Sequence, residues 1–344
     1  MNTYLSQLSI PLGSYTIPPR LVPGIHEMAT QIVATWFIIH TCTERSYMSL
    51  QSCRLAIAPA CSWDHIGQAL KTLLDTGDLP ENLLRLHSIG HGNTTVVVGH
   101  HATQSLVAIK QQIFRRGSWE ISSHILHELL ALQRLQGQAW SPLQMFHVVS
   151  QDMVQIGMEY VPLDMKQMLR FGSKNRVFIH RLTTELLSAV RCLHDLGMAH
   201  RDIKPDNIRF RSDGTLVLID YDSCTTLSDT IEKTRHVCTL GYRDPFLSDP
   251  GNDLVHYDYR MLDAFSCGAV YLYLLHGGKH VFTGTTEDET RTRCLAYIRS
   301  RLVPFCLRLK LTTAETHVLQ GLLDPSPETR MTLTQASDVY RSIE

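Results

Sequence analysis

The chain has 344 residues, 32 Lys and Arg against 33 Asp and Glu (net charge −1), and 44% hydrophobic residues. That length fits one large domain or two modest ones, with enough apolar content to bury a core. A net charge near zero gives no reason to expect nucleic acid or an anionic membrane as the main partner.

The nine cysteines are odd in number and include no CxxC pair, so they read as reduced thiols of a cytosolic or nuclear protein. The N-terminus lacks the basic-then-apolar pattern of a signal peptide. The most apolar stretch, Ile32 to Ile39, is too short to span a bilayer. From Met1 to about Pro80 no chemistry is legible. Pro11, Pro18, Pro19 and Pro23 favour irregular or extended chain. His26 to about Thr41 fits a helix, and Ser62-Trp63-Asp64 caps a second candidate running to Asp75. Two readings stand for this segment: a small helical accessory unit packed on the rest of the chain, or a docking or regulatory arm.

Leu83 to Ile89 alternates as a strand, Gly90-His91-Gly92 breaks it, and Val96 to Val98 forms a second strand. Glycines in such a hairpin let backbone N–H groups approach a phosphate, although hairpin turns use glycine in any case. Val107-Ala108-Ile109-Lys110 is a third strand. Ser118 to Gln136 carries a helical stripe of Ile121, Ile125, Leu129 and Leu132, with Glu128 on its flank. Val154 to Tyr160 reads as another strand, followed by Val161-Pro162-Leu163-Asp164. Val177 to Leu196 is a long amphipathic helix with Ile179, Leu182, Leu186, Leu187, Val190 and Leu193 on one face.

That helix leads into His200-Arg201-Asp202-Ile203-Lys204-Pro205-Asp206-Asn207, with Asp220 at the end of the apolar run Leu216 to Ile219. Asn and Asp oxygens at this spacing suit a hard divalent cation such as Mg²⁺. A second carboxylate and an ammonium beside that metal suit phosphoryl transfer, where positioning and charge neutralisation do most of the work. Taken singly, each of these residues is an ordinary turn former around a proline. As a set, the stretch resembles the catalytic loop and metal-binding turn of the eukaryotic protein kinases.

The resemblance runs from about Pro80 to the C-terminus and implies an α+β, two-lobed protein kinase fold. A small, mainly β N-lobe would occupy about 81–160 and a larger, mainly helical C-lobe about 161–344, after the accessory segment 1–80. It implies that Asp202 orients an acceptor hydroxyl and takes its proton, and that Lys204 neutralises the γ-phosphate. Asn207 and Asp220 would hold Mg²⁺, with Mn²⁺ as an alternative. Ile89, Gly90, His91, Gly92, Val97 and Ala108 would contact ATP, and Lys110, paired with Glu128, would reach its phosphates. Met158 would gate the adenine pocket, Glu159 and Val161 would offer backbone groups to the purine, and Asp164 would meet the ribose. Lysine two residues after Asp202 is the serine/threonine pattern. Thr234 to Pro245 is similar to the end of an activation segment in cyclin-dependent and related kinases. There Thr239 would contact Asp202 and Lys204 as part of a protein-substrate platform. Thr234 is either a phosphorylation site, whose phosphate would pair with Arg201, or an unmodified surface threonine. Asp263 would brace the catalytic loop backbone.

Four positions depart from the pattern. Thr95 replaces a third loop glycine. Asp220-Tyr221-Asp222 stands for Asp-Phe-Gly, which removes a permissive glycine and adds a charge near the metal site. Arg209 takes the place of the apolar floor under adenine, where a guanidinium can stack on a purine but is costly to bury alone. Phe246 replaces the glutamate that usually pairs with Arg330, leaving Asp244 as the nearby candidate. The expected function is transfer of the ATP γ-phosphate to protein serine or threonine. The alternative is a pseudokinase acting as a regulatory scaffold that binds nucleotide or a partner. Protein substrates and an activating partner or upstream kinase are the expected partners, with neither nucleic acid nor membrane. The expected location is cytoplasmic or nuclear, in a host cell if the diverged motifs mark a viral lineage.

Overall fold

The structure, a computed structural model, describes residues 84–88, 95–100, 106–113, 123–149, 153–161, 163–172, 175–211, 213–227, 238–252, 254 and 257–341. The segment 1–80, the loop Ile89 to Gly92 and Thr234 lie outside the described residues. The chain divides between Tyr160 and Val161 into two compact units.

The first unit is built on strands β1 (Leu84–Ser88), β2 (Thr95–His100), β3 (Leu106–Ile113), β4 (Gln144–Val149) and β5 (Met153–Glu159). They form one sheet in the order β1-β2-β3-β5-β4, with every neighbouring pair antiparallel. β5 lies between β3 and β4, and Val154, Ile156 and Met158 are buried in it, as is Gln155 on the alternate face. Helix α1 (Ser123–Arg134) buries Ile125, Leu129 and Leu132 of the expected stripe together with Glu128, while Ile121 lies outside the described residues. Burying each such aliphatic side chain stabilises by about 1.5–3 kcal/mol. The helix is followed by a turn at Gly137, whose φ of 87° is a left-handed conformation that favours glycine.

The second unit opens with β6 (Leu163–Asp164), α2 (Met165–Gly172) and α3 (Arg176–Asp195). Asn175 caps α3 by accepting from Phe178 N–H at 3.3 Å, and all six expected apolar residues of this helix are buried. After α3 come β7 (Met198–Ala199), β8 (Ile208–Phe210), β9 (Leu216–Leu218) and β10 (Thr225–Thr226). β6, β8 and β9 make a small sheet in that order, which sets Asn207 just before one strand and Asp220 just after another. Helix α4 (Tyr259–Leu275) is buried almost all round, the mark of a central helix. It is followed by α5 (Glu287–Ser300), α6 (Leu302–Arg308), α7 (Thr313–Leu322) and α8 (Leu333–Arg341). A Cβ at Gly268 would lie 2.9 Å from the Leu322 Cβ, so glycine there permits the close approach of α4 and α7.

Arg330 finds its buried partner in Asp244. Both side chains are 0% exposed; Arg330 Nη2 lies 2.9 Å from Asp244 Oδ1, and Nη1 pairs with Oδ2. The carboxylate also accepts from Tyr257 Oη at 2.6 Å and Phe246 N–H at 2.9 Å. Arg330 donates further to the carbonyls of Asp324 and Met261 and lies over the Phe265 ring. Burial opposes the charge on Arg330, yet Asp244 outweighs it and holds the guanidinium above its usual pKa. Phe246, at the position of the expected glutamate, stacks on Tyr257 with ring centroids 5.6 Å apart. The carboxylate that meets Arg330 thus stands two residues before the expected position, where an aromatic contact is found instead. Asp244→Asn should destabilise the protein by about 3–5 kcal/mol in chemical denaturation, because it strands a buried guanidinium. Phe246→Leu should cost less than about 1.5 kcal/mol. A loss below about 1 kcal/mol for Asp244→Asn would contradict the assignment.

Candidate active site

The site begins from a carboxylate in the centre of the second unit. Asp263, on α4, is fully buried and accepts the backbone N–H groups of His200 and Arg201, each at 2.8 Å. Its Oδ2 also lies 3.0 Å from His194 Nε2, in the last turn of α3. A carboxylate receiving several donors is the low-cost way to bury a negative charge, and here it fixes the chain just before Asp202. Arg201 is held with φ at 65°, a left-handed conformation that costs a non-glycine residue about 1–2 kcal/mol. Its guanidinium donates to the Ser223 carbonyl at 2.5 Å and lies 5.0 Å from the Tyr259 ring centroid. His200 is fully buried, with Nε2 3.2 Å from the Ile219 carbonyl and its ring 5.1 Å from that of Tyr221. The loop holding Asp202 and the turn holding Asp220 are therefore tied together by His200 and Arg201.

Asp202 is the hub of the polar cluster. Its Oδ2 accepts from Lys204 Nζ at 2.6 Å and Asn207 Nδ2 at 3.1 Å. Its Oδ1 accepts from the backbone N–H and the hydroxyl of Thr239, both at 3.0 Å. Lys204 Nζ closes the ring by donating to Thr239 Oγ1 at 3.0 Å. Burial works against the charge on Lys204, but Asp202, the hydrogen bond to it and Asp220 prevail and hold the ammonium above its usual pKa. Cys238, just before Thr239, also has a left-handed backbone, with φ at 72°. Removal from water, then the charge of Asp202, pushes its thiol pKa up, which leaves it a poor nucleophile.

Asn207 donates its amide to the Asp202 carbonyl at 2.9 Å as well as to the carboxylate, which leaves its Oδ1 as the amide atom that could take a cation. Asp220 follows β9 with φ 68° and ψ 67°. Amide and carboxylate oxygens fit a hard divalent cation that takes its remaining ligands from phosphate and water. Three of the four non-glycine residues with positive φ among the described residues, Arg201, Asp220 and Cys238, belong to this site. Backbone strain gathered in one place, and over-determined by hydrogen bonds, is typical of functional sites. Asp222 is not among the left-handed residues. It continues the short helical turn Tyr221–Ser223, so the missing glycine leaves no strain behind.

In the first unit, Lys110 on β3 lies 2.6 Å from Glu128 on α1, with side chains 6% and 1% exposed. Ala108 and Val97 stand on β3 and β2, and Met158 is buried on β5. The Glu159 N–H donates to the Leu143 carbonyl at 2.9 Å, so that N–H is already engaged. Val161 is the first, buried residue of the second unit. Asp164 Oδ1 accepts from Gln167 N–H at 2.7 Å while Gln167 returns the favour by accepting from Asp164 N–H. That reciprocal cap at the start of α2 is sufficient reason for an aspartate there, with or without a ribose. Arg209 lies directly opposite Asp164 across β6 and β8 and is half-buried.

Residues not singled out in the sequence also hold the site. His194 shares Asp263, and Ser266 Oγ donates to the Tyr242 carbonyl at 2.8 Å, anchoring the chain beyond Thr239 to α4. Arg243 bridges Glu287 at 2.6 Å and the Cys238 carbonyl at 2.9 Å. Only His194 left a trace in the sequence, as a histidine on the polar border of an amphipathic helix.

Comparison with known proteins bears on the whole arrangement. Residues 83–339 match the family model described as protein kinase domain. The serine/threonine-protein kinase hal4 of Schizosaccharomyces pombe is 28% identical over 164 residues, covering 46% of this chain and 26% of that protein. A protein described as a probable cell division protein kinase of Encephalitozoon cuniculi is 34% identical over 142 residues, 41% of this chain and 43% of its own length. The chain thus spans less than half the length of these curated relatives. A chain in the crystal structure of the yeast RNA Pol II CTD kinase CTDK-1 complex superposes with a TM-score of 0.64 at 21% identity. That superposition covers 78% of this chain and 95% of the other, a likeness of fold.

The Asp263 brace yields a direct stability test. Asp263→Asn replaces one of two acceptor oxygens by a donor, so a buried N–H of His200 or Arg201 loses its partner. Chemical denaturation should show a loss of about 2–4 kcal/mol. A change within about 0.5 kcal/mol would mean that the loop does not depend on this carboxylate.

Proposed function

The chain belongs to the protein kinase family, and from that premise we propose that it transfers the γ-phosphate of ATP to serine or threonine hydroxyls of protein substrates. The observation that carries this reading is the closed cluster of Asp202, Lys204, Asn207 and Thr239. With Asp220 and the Lys110–Glu128 pair, it completes the set of groups phosphoryl transfer calls for. Each oxygen of Asp202 already accepts two hydrogen bonds, which orients the carboxylate before any substrate arrives. An acceptor hydroxyl would displace the exposed, rotatable Thr239 hydroxyl from Oδ1 and give its proton to Asp202. The acceptor oxygen bonds to the γ-phosphorus as the bond to the β–γ bridging oxygen breaks, and ADP leaves. Lys204, kept charged, would neutralise the transferring group.

ATP and a divalent cation accompany the family, and we assign Asn207 and Asp220 as the residues that would hold Mg²⁺. The bound cation would offset charge on the phosphates. Lys110 would meet the α- and β-phosphates, with Glu128 fixing its direction. Half-buried Arg209 would lie under the base. The same reading goes with an intracellular place of action, cytoplasmic or nuclear. An activating partner is consistent with the CTDK-1 complex being a multi-chain neighbour in fold.

The test is transfer of labelled γ-phosphate from ATP to a generic protein substrate, with Mg²⁺ and Mn²⁺ in parallel. Wild type should label serine or threonine, and Asp202→Asn should reduce kcat by at least about 10²-fold. Nucleotide-induced thermal stabilisation without any transfer would instead favour the regulatory-scaffold alternative. Lys204 adds a pH prediction. Because its folded-state pKa is raised from 10.5, its charge and the stability it contributes are fully present below that value. Both are lost only as pH rises through the higher, folded-state pKa. Between about pH 7 and about pH 9.5, kcat should show no falling limb that Lys204→Arg removes. Such a limb would contradict the assignment.

A further inference from the structure

Several surface arginines of the second unit are neutralised nearby: Arg181 by Glu185, Arg260 by Asp258, Arg291 by Asp249 and Arg293 by Glu289. The end of α5 and all of α6 have no such pair among the described residues. No carboxylate occurs between Glu289 and Glu315 in the sequence, and Glu315 is committed to Arg176 and the Thr312 N–H. Arg299, Arg301, Arg308 and Lys310 are exposed and have no carboxylate partner among the described residues. Arg308 lies over the Phe305 ring, which in turn stacks on His276. Burial first, then the charges of Arg308 and Lys279, holds His276 below the usual imidazole pKa, a sign of the positive field here.

Between these cations stand exposed aliphatic side chains. Leu302, Phe305 and Cys306 turn the inner face of α6 into the core, while Val303 and Leu307, 42% and 73% exposed, lie one turn apart on the outer face. These two account for half of the four large exposed hydrophobic side chains among the described residues. A third, Val177, begins α3 beside Arg176, which donates to the Leu309 carbonyl at 3.2 Å and so joins that helix start to the end of α6.

We infer that the outer face of α6 is a docking surface for an acidic peptide segment of a partner protein, one that presents aliphatic side chains between Asp or Glu residues. Val303 and Leu307 would take the aliphatic side chains, and Arg299, Arg301, Arg308 and Lys310 the carboxylates. Charge complementarity selects the occupant. Uncompensated cations around an apolar pair favour a ligand that supplies both anions and methyl groups, and they disfavour basic partners. Two aliphatic side chains on a chain of net charge −1 make a small apolar footprint, better matched to a peptide than to a lipid surface. The inference stands apart from the catalytic reading because direct binding tests it.

The probe is a short fluorescein-labelled peptide of alternating Glu-Asp and Leu-Leu pairs, titrated with the full chain and followed by fluorescence anisotropy. Saturable binding should weaken about tenfold or more in Arg301→Glu/Arg308→Glu, and at least about threefold in Leu307→Ser. It should also weaken as salt rises from about 0.05 to about 0.3 M. These side chains are exposed, so the thermal midpoint should stay at the wild-type value, which separates a lost surface from a lost fold. Absence of saturable binding to the wild-type chain would overturn the inference. So would binding indifferent to Leu307→Ser, which marks non-specific charge attraction. Capture by phosphatidylserine vesicles without peptide binding would replace it with a lipid-facing surface.

Discussion

The buried carboxylate of Asp263 is the constraint on which the site depends. It has no access to water and sits on the helix at the centre of the second unit, so its charge must be met by the protein itself. The groups that meet it are the two N–H donors preceding Asp202 and the ring of His194. Satisfying the carboxylate and positioning the loop are thus the same event. The loop cannot relax without leaving a charge unpaired in the core, a larger penalty than the left-handed backbone at Arg201.

From that anchor the remaining geometry builds in short steps. His200 reaches the Ile219 carbonyl and Arg201 the Ser223 carbonyl, so both sides of the turn carrying Asp220 are tied to the anchored loop. Asp202 then collects Lys204, Asn207 and Thr239 around its two oxygens. Thr239 is held in turn because Ser266, three residues along the helix from Asp263, bonds the Tyr242 carbonyl. Farther out, the Asp244–Arg330 pair pins the same segment to the chain just before α8. One helix therefore positions the Asp202 loop with a carboxylate and the segment after Thr239 with a hydroxyl.

Much of this was legible in the sequence, and the boundary is physical. Periodicity gave α1 and α3 because apolar residues recurring every three to four positions line one side of a helix and no side of a strand. The spacing of Asp202, Lys204 and Asn207 made their cluster legible, because residues two to five apart around a proline turn are close in space. The partner of Arg330 was visible only as a candidate, since sequence shows that Asp244 is near but not that it is fully buried and bidentate. The tolerance of Asp222 for a glycine position was not legible, because φ is negative there and only coordinates reveal it. The capping role of Asp164 was hidden for a similar reason: the signal, Gln167 three residues later, reads as an ordinary helix start until the hydrogen bonds are seen. Ser266 left no signature because its partner is a backbone carbonyl distant in sequence, and His194 left only its place on a helix border because its carboxylate partner is equally distant.

The central claim is that Asn207 and Asp220 form, with an anchored Asp202 loop, a metal-dependent nucleotide site. Calorimetric titration of a non-hydrolysable ATP analogue, with and without Mg²⁺, into wild type and Asp220→Ala tests it most directly. The account predicts wild-type binding that strengthens at least about tenfold with Mg²⁺, and an Asp220→Ala protein in which that metal dependence is lost. Binding of equal strength with and without the cation, unchanged by Asp220→Ala, would contradict it.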